Sequence, residues 1–534
     1  MPSDAATTPV PVVPPPAPRP PWDGWAEDPP ALPAGARTIA RALLRGVPHP
    51  VPRTAPGPLP ASRLGADDLA ALAAAAQTTT DDEARRAHLG GKSTVDLLRR
   101  RLHADAAAPD AVVRPSGHAQ VAAVLRVCDE RRIAVVPFGG GTSVVGGVDP
   151  GDEVRPVVTL DLSRTAALLA LDGTSLLATF GAGTTGPQAE ELLGARGYTL
   201  GHFPQSFAYA TLGGFAATRS AGQASRGYGR FDDLVHRLRA ATPVGDLDLG
   251  RAPGSAAGPD LRRLLLGSEG ALGVITEVTV TIRRRAAATA YGAWTFADFA
   301  AGSDALRVLT QHGVRPTVIR LSDAAETRVN AALGGHVTRM RGCLAVATFE
   351  GETAADAASV LARTDAVLRA HGAQPRGEDP ARSWERGRYA SPALRDTLLG
   401  IGVLAETLET ATTWTHLAAL KTAVTAALQG ALARPVVMCH ISHVYPAGAS
   451  LYFTVVAALS ADPIGQWTTA KQAASRAIVA AGGTITHHHA VGRDHRAHLV
   501  DEIGTVGVQV LRAVKDALDP HGIMNPGVLL DEAR

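Results

Sequence analysis

Residues 137–147 read PFGGGTSVVGG and follow the apolar run IAVV, which predicts a buried β-strand. Because the three glycines at 139–141 carry no Cβ, their backbone N–H groups can turn toward an anion and approach it closely. Thr142 and Ser143 add hydroxyl donors directly after the glycines. The segment therefore predicts a cradle for phosphate groups at the end of a strand, and a flexible glycine turn is the simpler alternative.

Strand and helix patterns alternate on both sides of this loop. AVVRPS (111–116) predicts a strand, HAQVAAVLRVCDERR (118–132) an amphipathic helix, and ITEVTVTIRRR (275–285) an alternating strand. Together these patterns predict an α+β domain over residues 105–285. Over residues 286–517 the patterns run strand, helix, strand, strand, helix, which predicts an antiparallel sheet with helices.

The N-terminal part of the chain has a different composition. Residues 1–35 are rich in proline, which removes backbone donors and blocks helices, so we expect a disordered or polyproline-like segment. Residues 36–104 contain helical patterns such as ADDLAALAAAAQ and STVDLLRRRLHA, and they predict a helical extension.

Composition excludes several classes of protein. Hydrophobic residues make up 46% of the 534 residues, which supports sizeable cores. With 52 basic and 50 acidic side chains, a dedicated nucleic-acid binder is not expected. Cys128, Cys343 and Cys439 lie far apart, so neither a disulfide framework nor a cysteine-based zinc site is expected. We find no secretory signal and no long apolar run. We therefore expect a cytoplasmic protein, with peripheral membrane contact left open.

The segment GAGTTG (181–186) matches the G-x-G-x-x-G pattern of nicotinamide-binding Rossmann domains. Such a domain needs a second strand that ends in an acidic residue about 20 residues further on. That distance falls in GHFPQSFAYATLGG, which contains no acid. We therefore interpret GAGTTG as a tight turn from a strand into a helix.

Three more segments accompany the glycine-rich loop: PQSFAYATLGGFAATRSAG (204–222), YGRFDDLVHRLRAATPVG (228–245) and GSEGALGVITE (267–277). In this order the four segments resemble the two-subdomain, non-Rossmann FAD-binding domain (PCMH type) of the vanillyl-alcohol oxidase superfamily. The resemblance covers residues 105–285 and resumes at 518–527. It implies that a tail over 518–534 returns to the FAD-binding domain, and that residues 286–517 form an antiparallel-sheet cap domain for substrate.

The same resemblance implies FAD as the cofactor. Relatives that tether the flavin use a His or Cys near the glycine-rich loop, whereas this loop offers only Gly, Thr and Ser, so noncovalent FAD is implied. The residues that the resemblance implies for FAD binding are Pro137, Phe138, Gly139, Gly140, Gly141, Thr142, Ser143, Val144, Gln205, Ser206, Thr211, Gly214, Thr218, Arg219, Ser220, Ala221, Glu269, Gly270, Ala271, Leu272, Gly273, Val274 and Ile275.

Over nearly the whole chain the sequence resembles one family of this superfamily, the alkyldihydroxyacetonephosphate synthases of ether-lipid formation. The supporting segments include RAHLGGKSTVDLL (86–98), LRDTLLGIGVLAETLETATTW (394–414), SHVYPAGASLYF (442–453) and GGTITHHHAVG (482–492). The resemblance implies that Tyr452 is the catalytic base and that Arg395 binds the substrate phosphate. It further implies that Arg320, His487, His488 and His489 are needed for activity, and it implies no metal.

The family's reaction exchanges the acyl chain of acyl-dihydroxyacetone phosphate for a fatty alcohol and returns the flavin unchanged. It begins with removal of a proton next to a carbonyl, which needs a positioned base. An arginine suits the phosphorylated lipid substrate, because its planar fork matches phosphate oxygens. A tyrosine base needs a lowered pKa, and the histidines and Arg320 are the candidate cationic neighbours.

Two other functions remain open. The first is an FAD-linked oxidase or dehydrogenase of a 2-hydroxy acid such as D-lactate or glycolate. Such enzymes usually show H-x-G-D-G-N-x-H and G-E-H-G, which residues 443–452 and 487–490 do not reproduce, so their metal site is expected to be missing. The second is a noncatalytic flavin-binding protein. A homodimer is also left open.

Taken alone, each proposed site residue can also be explained without a role in catalysis or substrate binding. Tyr452 fits a core tyrosine, Arg395 a solvated helix residue, and the three histidines a surface metal-binding tract. If residues 487–489 formed an extended strand, His488 would face away from His487 and His489, and the three could not share one face.

Overall fold

A computed structural model describes residues 11–43, 49–104, 107–151, 153–333 and 341–531. Its helices are α1 (Ala34–Leu43), α2 (Ala66–Ala75), α3 (Asp82–Arg86), α4 (Thr94–Arg101), α5 (His118–Arg131), α6 (Gly186–Gly194), α7 (Leu212–Thr218), α8 (Ser225–Tyr228), α9 (Phe231–Leu234), α10 (Arg262–Leu265), α11 (Phe299–Gln311), α12 (Ala324–Leu333), α13 (Ala354–Ala370), α14 (Asp379–Gly387), α15 (Ser391–Gly400), α16 (Leu417–Ala431), α17 (Pro463–Ala480) and α18 (Leu499–Leu518).

The strands are β1 (Gln77–Thr79), β2 (Ala111–Arg114), β3 (Ala134–Phe138), β4 (Val157–Asp161), β5 (Leu168–Asp172), β6 (Leu177–Gly181), β7 (Tyr198–Thr199), β8 (Val235–Thr242), β9 (Gly245–Leu249), β10 (Val274–Thr281), β11 (Arg283–Arg284), β12 (Ala288–Phe296), β13 (Val318–Ser322), β14 (Cys343–Gly351), β15 (Gln374–Pro375), β16 (Val403–Thr413), β17 (Val436–Ile441) and β18 (Gly448–Ala458). Short 3-10 turns lie at Leu162–Thr165 and Arg496–His498.

The first half of the chain builds two main sheets that share one core. A four-stranded sheet has the order β1-β2-β4-β3, and β4 pairs in parallel with both β2 and β3. A five-stranded antiparallel sheet has the order β5-β6-β10-β8-β9. Apolar side chains of α5, α7 and both sheets meet in a continuous buried cluster. This arrangement places the glycine-rich loop directly after β3.

The second half builds one large sheet. Its seven strands run in the order β15-β12-β14-β13-β17-β18-β16, and all pairs are antiparallel. The longest pairing joins β16 to β18, in a register that sets Glu409 opposite Tyr452. Helices α11, α13, α16 and α17 pack on this sheet and share its second buried cluster. The mixture of helices with antiparallel sheets confirms the predicted α+β class.

The turn at GAGTTG is explained by helix capping. The Thr185 hydroxyl accepts a hydrogen bond from Gln188 N, and the Gln188 side chain accepts one from Thr185 N at 2.9 Å. This reciprocal capping box starts α6 immediately after β6. The segment is therefore a strand-to-helix turn, as its sequence predicts.

The proline-rich segment departs from the expectation of disorder. Residues 1–10 lie outside the described residues, but residues 11–33 run along the body of the protein. Val12 pairs with Leu168 through two backbone hydrogen bonds of 3.0 Å, and Arg19 Nη2 donates to Asp161 Oδ2 at 2.6 Å. The Trp25 indole is buried and donates to the Lys92 carbonyl at 3.2 Å. These partners offset the entropy cost of ordering, so disorder is wrong for residues 11–33.

The C-terminal residues lie against the first half of the chain. Met524 forms a parallel bridge with Val135, and the Asn525 amide donates to the carbonyls of Gly147 and Glu269 at 2.9 and 2.6 Å. Residues 532–534 are outside the described residues, as are 44–48 within the proposed helical extension. The boundaries at residues 35, 104, 285 and 517 stay predictions. Among the described residues, no helix is both long and apolar enough to span a bilayer.

Candidate functional site

A cavity of about 450 Å³ lies between the glycine-rich loop and one face of the seven-stranded sheet. Its walls come from the loop after β3, the start of α7, strands β13, β16, β17 and β18, and helices α12 and α15. Aliphatic side chains form much of the wall on the sheet side, namely Val318, Ile319, Val329, Leu333, Leu394, Leu398, Val403, Met438 and Val456. The cavity thus joins a polar loop to an apolar compartment.

The glycine-rich loop presents unused donors to this cavity. Within the described parts of the chain, the backbone N–H groups from Gly139 to Val144 donate no hydrogen bond. Gly141 has a φ of +66°, in the left-handed region that favours glycine. A Cβ on Gly140 would lie 2.1 Å from the Tyr209 carbonyl oxygen, so only glycine fits there. A run of free N–H groups around a concave loop suits phosphate oxygens.

Most of the residues predicted for FAD binding border this cavity. The structure brings together Gly139, Gly140, Gly141, Thr142, Ser143, Val144, Gln205, Ser206, Thr211, Gly214, Thr218, Ser220 and Ala221. They come from two separate segments, 137–147 and 204–222, which the fold gathers because α7 starts beside the loop after β3. Thr211 caps α7 by accepting from Gly214 N at 3.2 Å, and this fixes the start of the helix against the loop.

The other predicted FAD residues are not in the cavity wall. They are Pro137, Phe138, Arg219, Glu269, Gly270, Ala271, Leu272, Gly273, Val274 and Ile275. Glu269 is buried and accepts hydrogen bonds from Val491 N and Gly492 N at 2.9–3.0 Å. Burial raises the pKa of Glu269 to about 7, although these N–H donors oppose the rise. In this structure Glu269 ties its loop to residues 491–492.

Tyr452 lies on β18 with its side chain toward the cavity, between two imidazoles. Its ring stacks on His440 at a centroid distance of 4.9 Å and on His488 at 6.0 Å, while His489 approaches it edge-on at 5.7 Å. Arg320 Nη2 donates to Glu326 Oε1 at 2.6 Å and lies 2.9 Å from His440 Nδ1. The Tyr452 ring therefore contacts the imidazoles of His440, His488 and His489, and Arg320 reaches this group through His440.

The lowered pKa that a tyrosine base needs is not found at Tyr452 in this structure. Burial raises the pKa of the phenol, while the Thr407 hydroxyl and Arg395 oppose the rise. The histidines do not supply positive charge, because burial lowers the pKa of His488 and of His489 to about 4. The arrangement therefore contains a neutral phenol beside neutral imidazoles.

Arg395 lies on α15 and is almost fully buried at the cavity wall. Its guanidinium forms an ion pair with Glu406 Oε1 at 3.1 Å and donates to the Lys92 carbonyl at 3.2 Å. Glu406 is held in turn by Thr94 N, which donates to Oε2 at 2.7 Å. The solvated position that the sequence alone allows for Arg395 does not occur. Instead a fixed arginine faces the cavity with a carboxylate beside it.

The three histidines do not form an extended strand. They lie in a turn that wraps around the buried Glu409 carboxylate of β16. Glu409 Oε2 accepts from His487 N at 2.6 Å, and Oε1 accepts from His488 N, His489 N and the Thr486 hydroxyl at 3.1, 2.8 and 2.7 Å. Residues 487–489 are not extended, so the side-chain alternation of a strand does not apply to them, and the turn directs all three backbone N–H groups to one carboxylate.

Although burial raises the pKa of Glu409, the surrounding imidazoles and the Thr486 hydroxyl hold it well below its usual range. Glu406 and Glu409 were not proposed as site residues, yet they organise Arg395 and the histidine turn. The sequence signal that could have identified them is a pair of acids in VLAETLETA, a segment rich in apolar residues. Such a segment is expected to be buried, and a buried carboxylate costs free energy unless it has partners. His440 and His443, which also line the cavity, follow a similar apolar run.

Comparisons with known proteins identify the family of the chain. A family profile described as "FAD binding domain" matches residues 109–248, and one described as "FAD linked oxidases, C-terminal domain" matches residues 285–529. A protein of Trypanosoma brucei brucei named alkyldihydroxyacetonephosphate synthase is 32% identical over 492 residues, 87% of this chain and 80% of the relative. The chain belongs to the alkyldihydroxyacetonephosphate synthase family. A Dictyostelium discoideum protein of the same name is 31% identical over 85% of this chain and 78% of its own.

A solved structure of an alkyldihydroxyacetonephosphate synthase supports the same assignment. It superposes with a TM-score of 0.81 at 27% identity, and covers 95% of this chain and 97% of its own. The predicted resemblance and the PCMH-type FAD-binding domain with a C-terminal domain are thereby confirmed. FAD is the cofactor of this enzyme family.

Proposed function

We propose that this enzyme exchanges the acyl chain of an acyl-dihydroxyacetone phosphate for a fatty alcohol. The observation that carries the proposal is one cavity that combines a phosphate-cradling loop, a buried arginine and an aliphatic wall. In the exchange, the bond between substrate C1 and the acyl oxygen breaks and a bond between C1 and the alcohol oxygen forms. The alcohol proton leaves with the fatty acid, so no electrons are gained or lost overall.

Bound FAD supplies the electrophilic ring on which this chemistry depends and is recovered in its original oxidation state. The N–H groups of residues 139–144 hold its pyrophosphate, with Thr142 and Ser143 as additional donors. We propose that the cofactor is noncovalent, because the loop itself offers neither histidine nor cysteine. Cavity-wall histidines such as His440 lie on the sheet side, among the substrate-binding residues.

The substrate phosphate is assigned to Arg395, whose planar guanidinium matches two phosphate oxygens. The alkyl and acyl chains are assigned to the aliphatic wall formed by β13, β16, β17, α12 and α15. Arg395 lies on α15, the same helix that supplies Leu394 and Leu398 to that wall. A charged head and an apolar chain can therefore bind side by side, as a phosphorylated lipid requires.

The proton next to the carbonyl needs an acceptor, and we propose Tyr452 for this role. The phenol must lose its own proton first, and its raised pKa makes that form scarce at neutral pH. The neutral imidazoles of His488 and His489 are the competing acceptors, since both border the cavity and lie near the Tyr452 ring. A Tyr452 base and an imidazole base differ in how the rate of proton removal depends on pH.

The overall function is tested by incubating the FAD-loaded enzyme with palmitoyl-dihydroxyacetone phosphate and hexadecanol. We expect an ether product and one equivalent of palmitate, without consumption of an electron acceptor. D-Lactate and glycolate serve as matched controls, because a 2-hydroxy-acid oxidase would bleach its flavin with one of them. Bleaching together with no ether product would replace the synthase proposal with the oxidase alternative.

The proton acceptor is tested by exchange of the substrate C1 hydrogen with deuterated water. If Tyr452 is the base, the exchange rate rises about tenfold per pH unit through the alkaline range, because the phenolate fraction grows until pH exceeds the raised pKa. Tyr452→Phe then lowers exchange by about 10²–10⁴-fold while the FAD content stays full. A rate that is flat above pH 7 and survives in the Phe variant would transfer the role to the imidazoles.

A further inference from the structure

The N-terminal segment enters the wall of the cavity at one tryptophan. Residues 21–26, with the sequence PWDGWA, are called the strap from here on. The Trp25 side chain borders the cavity and is only 6% exposed. Both family profiles begin after the strap, at residues 109 and 285, so those matches assign it no role. The role of the strap therefore has to follow from its contacts.

The backbone of Lys92 connects this tryptophan to two other parts of the site. Its carbonyl oxygen accepts one hydrogen bond from Trp25 Nε1 and another from Arg395 Nη1, both at 3.2 Å. Its N–H donates to the carbonyl oxygen of Ser143, in the glycine-rich loop, at 2.6 Å. One residue thus contacts the strap, the glycine-rich loop and the arginine that we assign to the substrate phosphate.

The strap also holds the helix that carries Arg395. Asp396 is the next residue of α15, and its Oδ2 accepts hydrogen bonds from Trp25 N and Ala26 N at 2.7 and 3.2 Å. A Cβ on Gly24 would lie 2.8 Å from the same oxygen, so glycine allows the strap to approach α15 this closely. Two consecutive residues of α15 are therefore tied to the strap, Asp396 directly and Arg395 through the Lys92 carbonyl.

The orientation of the Arg395 guanidinium depends on two acceptors among the described residues. Nη1 donates to the Lys92 carbonyl, and Nη2 pairs with Glu406 Oε1 at 3.1 Å. An arginine binds phosphate through a planar fork, so its orientation matters as well as its charge. A carbonyl can orient the fork only if it is itself held in place, and the Trp25 indole is the second donor that holds the Lys92 carbonyl.

We propose that Trp25 is a positioning residue for the substrate phosphate, because its indole N–H fixes the Lys92 carbonyl and this carbonyl orients Arg395. The inference rests on the proposed function, in which Arg395 binds that phosphate. The strap then belongs to the substrate-binding machinery, since the donor that it supplies acts on the arginine through a single carbonyl. The hydrogen bond from Lys92 N to Ser143 further links the position of the arginine to the glycine-rich loop.

The test compares Trp25→Phe with Trp22→Phe in the full-length, FAD-saturated enzyme. Each change removes one indole N–H from the strap and leaves an aromatic ring. Trp22 is the matched control, because its ring centroid lies 5.7 Å from the Arg86 guanidinium carbon and its side chain is not in the cavity wall. Binding of dihydroxyacetone phosphate is measured by calorimetry, so that the result does not depend on turnover.

The loss of one neutral hydrogen bond predicts a dissociation constant about 2–10-fold higher in Trp25→Phe. The KM for the acylated substrate should rise by the same factor, while the KM for hexadecanol stays unchanged. Trp22→Phe should leave all three constants unchanged. An unchanged dissociation constant in Trp25→Phe, or an equal rise in Trp22→Phe, would overturn the inference.

A double variant separates positioning from a general loss of structure. If Trp25 acts through Arg395, Trp25→Phe should not weaken binding further in an Arg395→Lys background, because lysine has no planar fork to orient. The same factor in both backgrounds would mean a merely structural role and would refute the inference. If Trp25→Phe loses FAD, benzothienylalanine at position 25 gives the same comparison, because it replaces only the N–H by sulfur.

The outcomes also distinguish this inference from the proposed function. Wild-type enzyme that binds dihydroxyacetone phosphate through Arg395 but forms no ether would contradict the acyl exchange and leave the role of Trp25 supported by the calorimetry. Ether formation with unaltered phosphate binding in Trp25→Phe would do the reverse. Phosphate binding that Arg395→Lys does not weaken would remove the phosphate from Arg395, and the role of Trp25 with it.

Discussion

Glu409→Gln tests whether one buried carboxylate organises the histidine turn. Glutamine keeps the shape of the side chain but offers one carbonyl oxygen in place of two carboxylate oxygens. Four donors point at Glu409: the Thr486 hydroxyl and the backbone N–H groups of His487, His488 and His489, at 2.6–3.1 Å. If the amide oxygen takes the place of Oε1, the amide N–H₂ meets His487 N, and two donors face each other.

The expected loss follows from these contacts. A hydrogen bond to a charged group contributes about 1 kcal/mol more than a neutral one, and a buried donor without an acceptor costs about 1–3 kcal/mol. Three weakened bonds and one lost bond sum to about 4–6 kcal/mol in the free energy of unfolding, measured by urea denaturation of the FAD-loaded enzyme. Glu378→Gln is the control, since its exposed pair with Arg382 should contribute under about 0.5 kcal/mol. A loss at Glu409 no larger than at Glu378 would refute this account of the turn.

Two further predictions concern the cofactor and pH. Acid precipitation should release all FAD into the supernatant, because we propose a noncovalent cofactor, and flavin retained in the pellet would contradict this. Burial lowers the pKa of His202 to about 3 and of His495 to about 4, below the 6.5 of an unfolded histidine. The unfolded chain therefore binds more protons, so stability is complete above pH 6.5 and falls as the pH drops, by about 3 kcal/mol down to pH 4 for His495 and by about 5 kcal/mol down to pH 3 for His202. In urea denaturation, His202→Gln should flatten this dependence, and an unchanged slope would show that His202 is not responsible.

The sequence predicts much of the fold because its local signals agree with one another. The apolar run before residue 139, the alternation in β10 and the capping box of α6 each rely on neighbouring residues only. The N-terminal segment is different. Its order depends on contacts such as Trp25 with Lys92 and Arg19 with Asp161, which lie far apart in the sequence. Proline composition alone carries no information about such partners.

The roles of the predicted site residues stay predictions, and the sequence did not predict their electrostatics. The family resemblance identifies Tyr452, Arg395 and the histidines, and the fold brings all of them to one region. Burial, however, is a property of the packed structure, and it reverses the expected pKa shift of Tyr452 and keeps His488 neutral. The conformation of the histidine turn also depends on Glu409, which lies on β16, a strand distant in sequence.

The charge balance of the cavity leads to a last prediction, on phosphate binding. Of the residues that the structure describes, the wall contains two arginines, Arg320 and Arg395, and each is already paired with a glutamate, Glu326 or Glu406. A phosphate must therefore compete with Glu406 for the Arg395 guanidinium. Arg395→Lys keeps the charge but loses the planar fork, so KM for the phosphorylated substrate should rise. A loss of about 1.5–3 kcal/mol corresponds to a factor of about 10–150.

Glu406→Gln is the complementary change, because it removes the competing charge and keeps a side chain of similar shape beside Arg395. KM should fall several-fold, while stability decreases because Thr94 N loses its charged acceptor. The KM of each variant is measured with FAD-saturated enzyme, so that a change in cofactor occupancy is not counted as a change in substrate affinity. If Glu406→Gln raises KM as Arg395→Lys does, the carboxylate positions the arginine rather than competing with the phosphate. In that case displacing Glu406 from Arg395 would cost the substrate little free energy. The KM for the phosphorylated substrate would then reflect the contact between Arg395 and the phosphate alone.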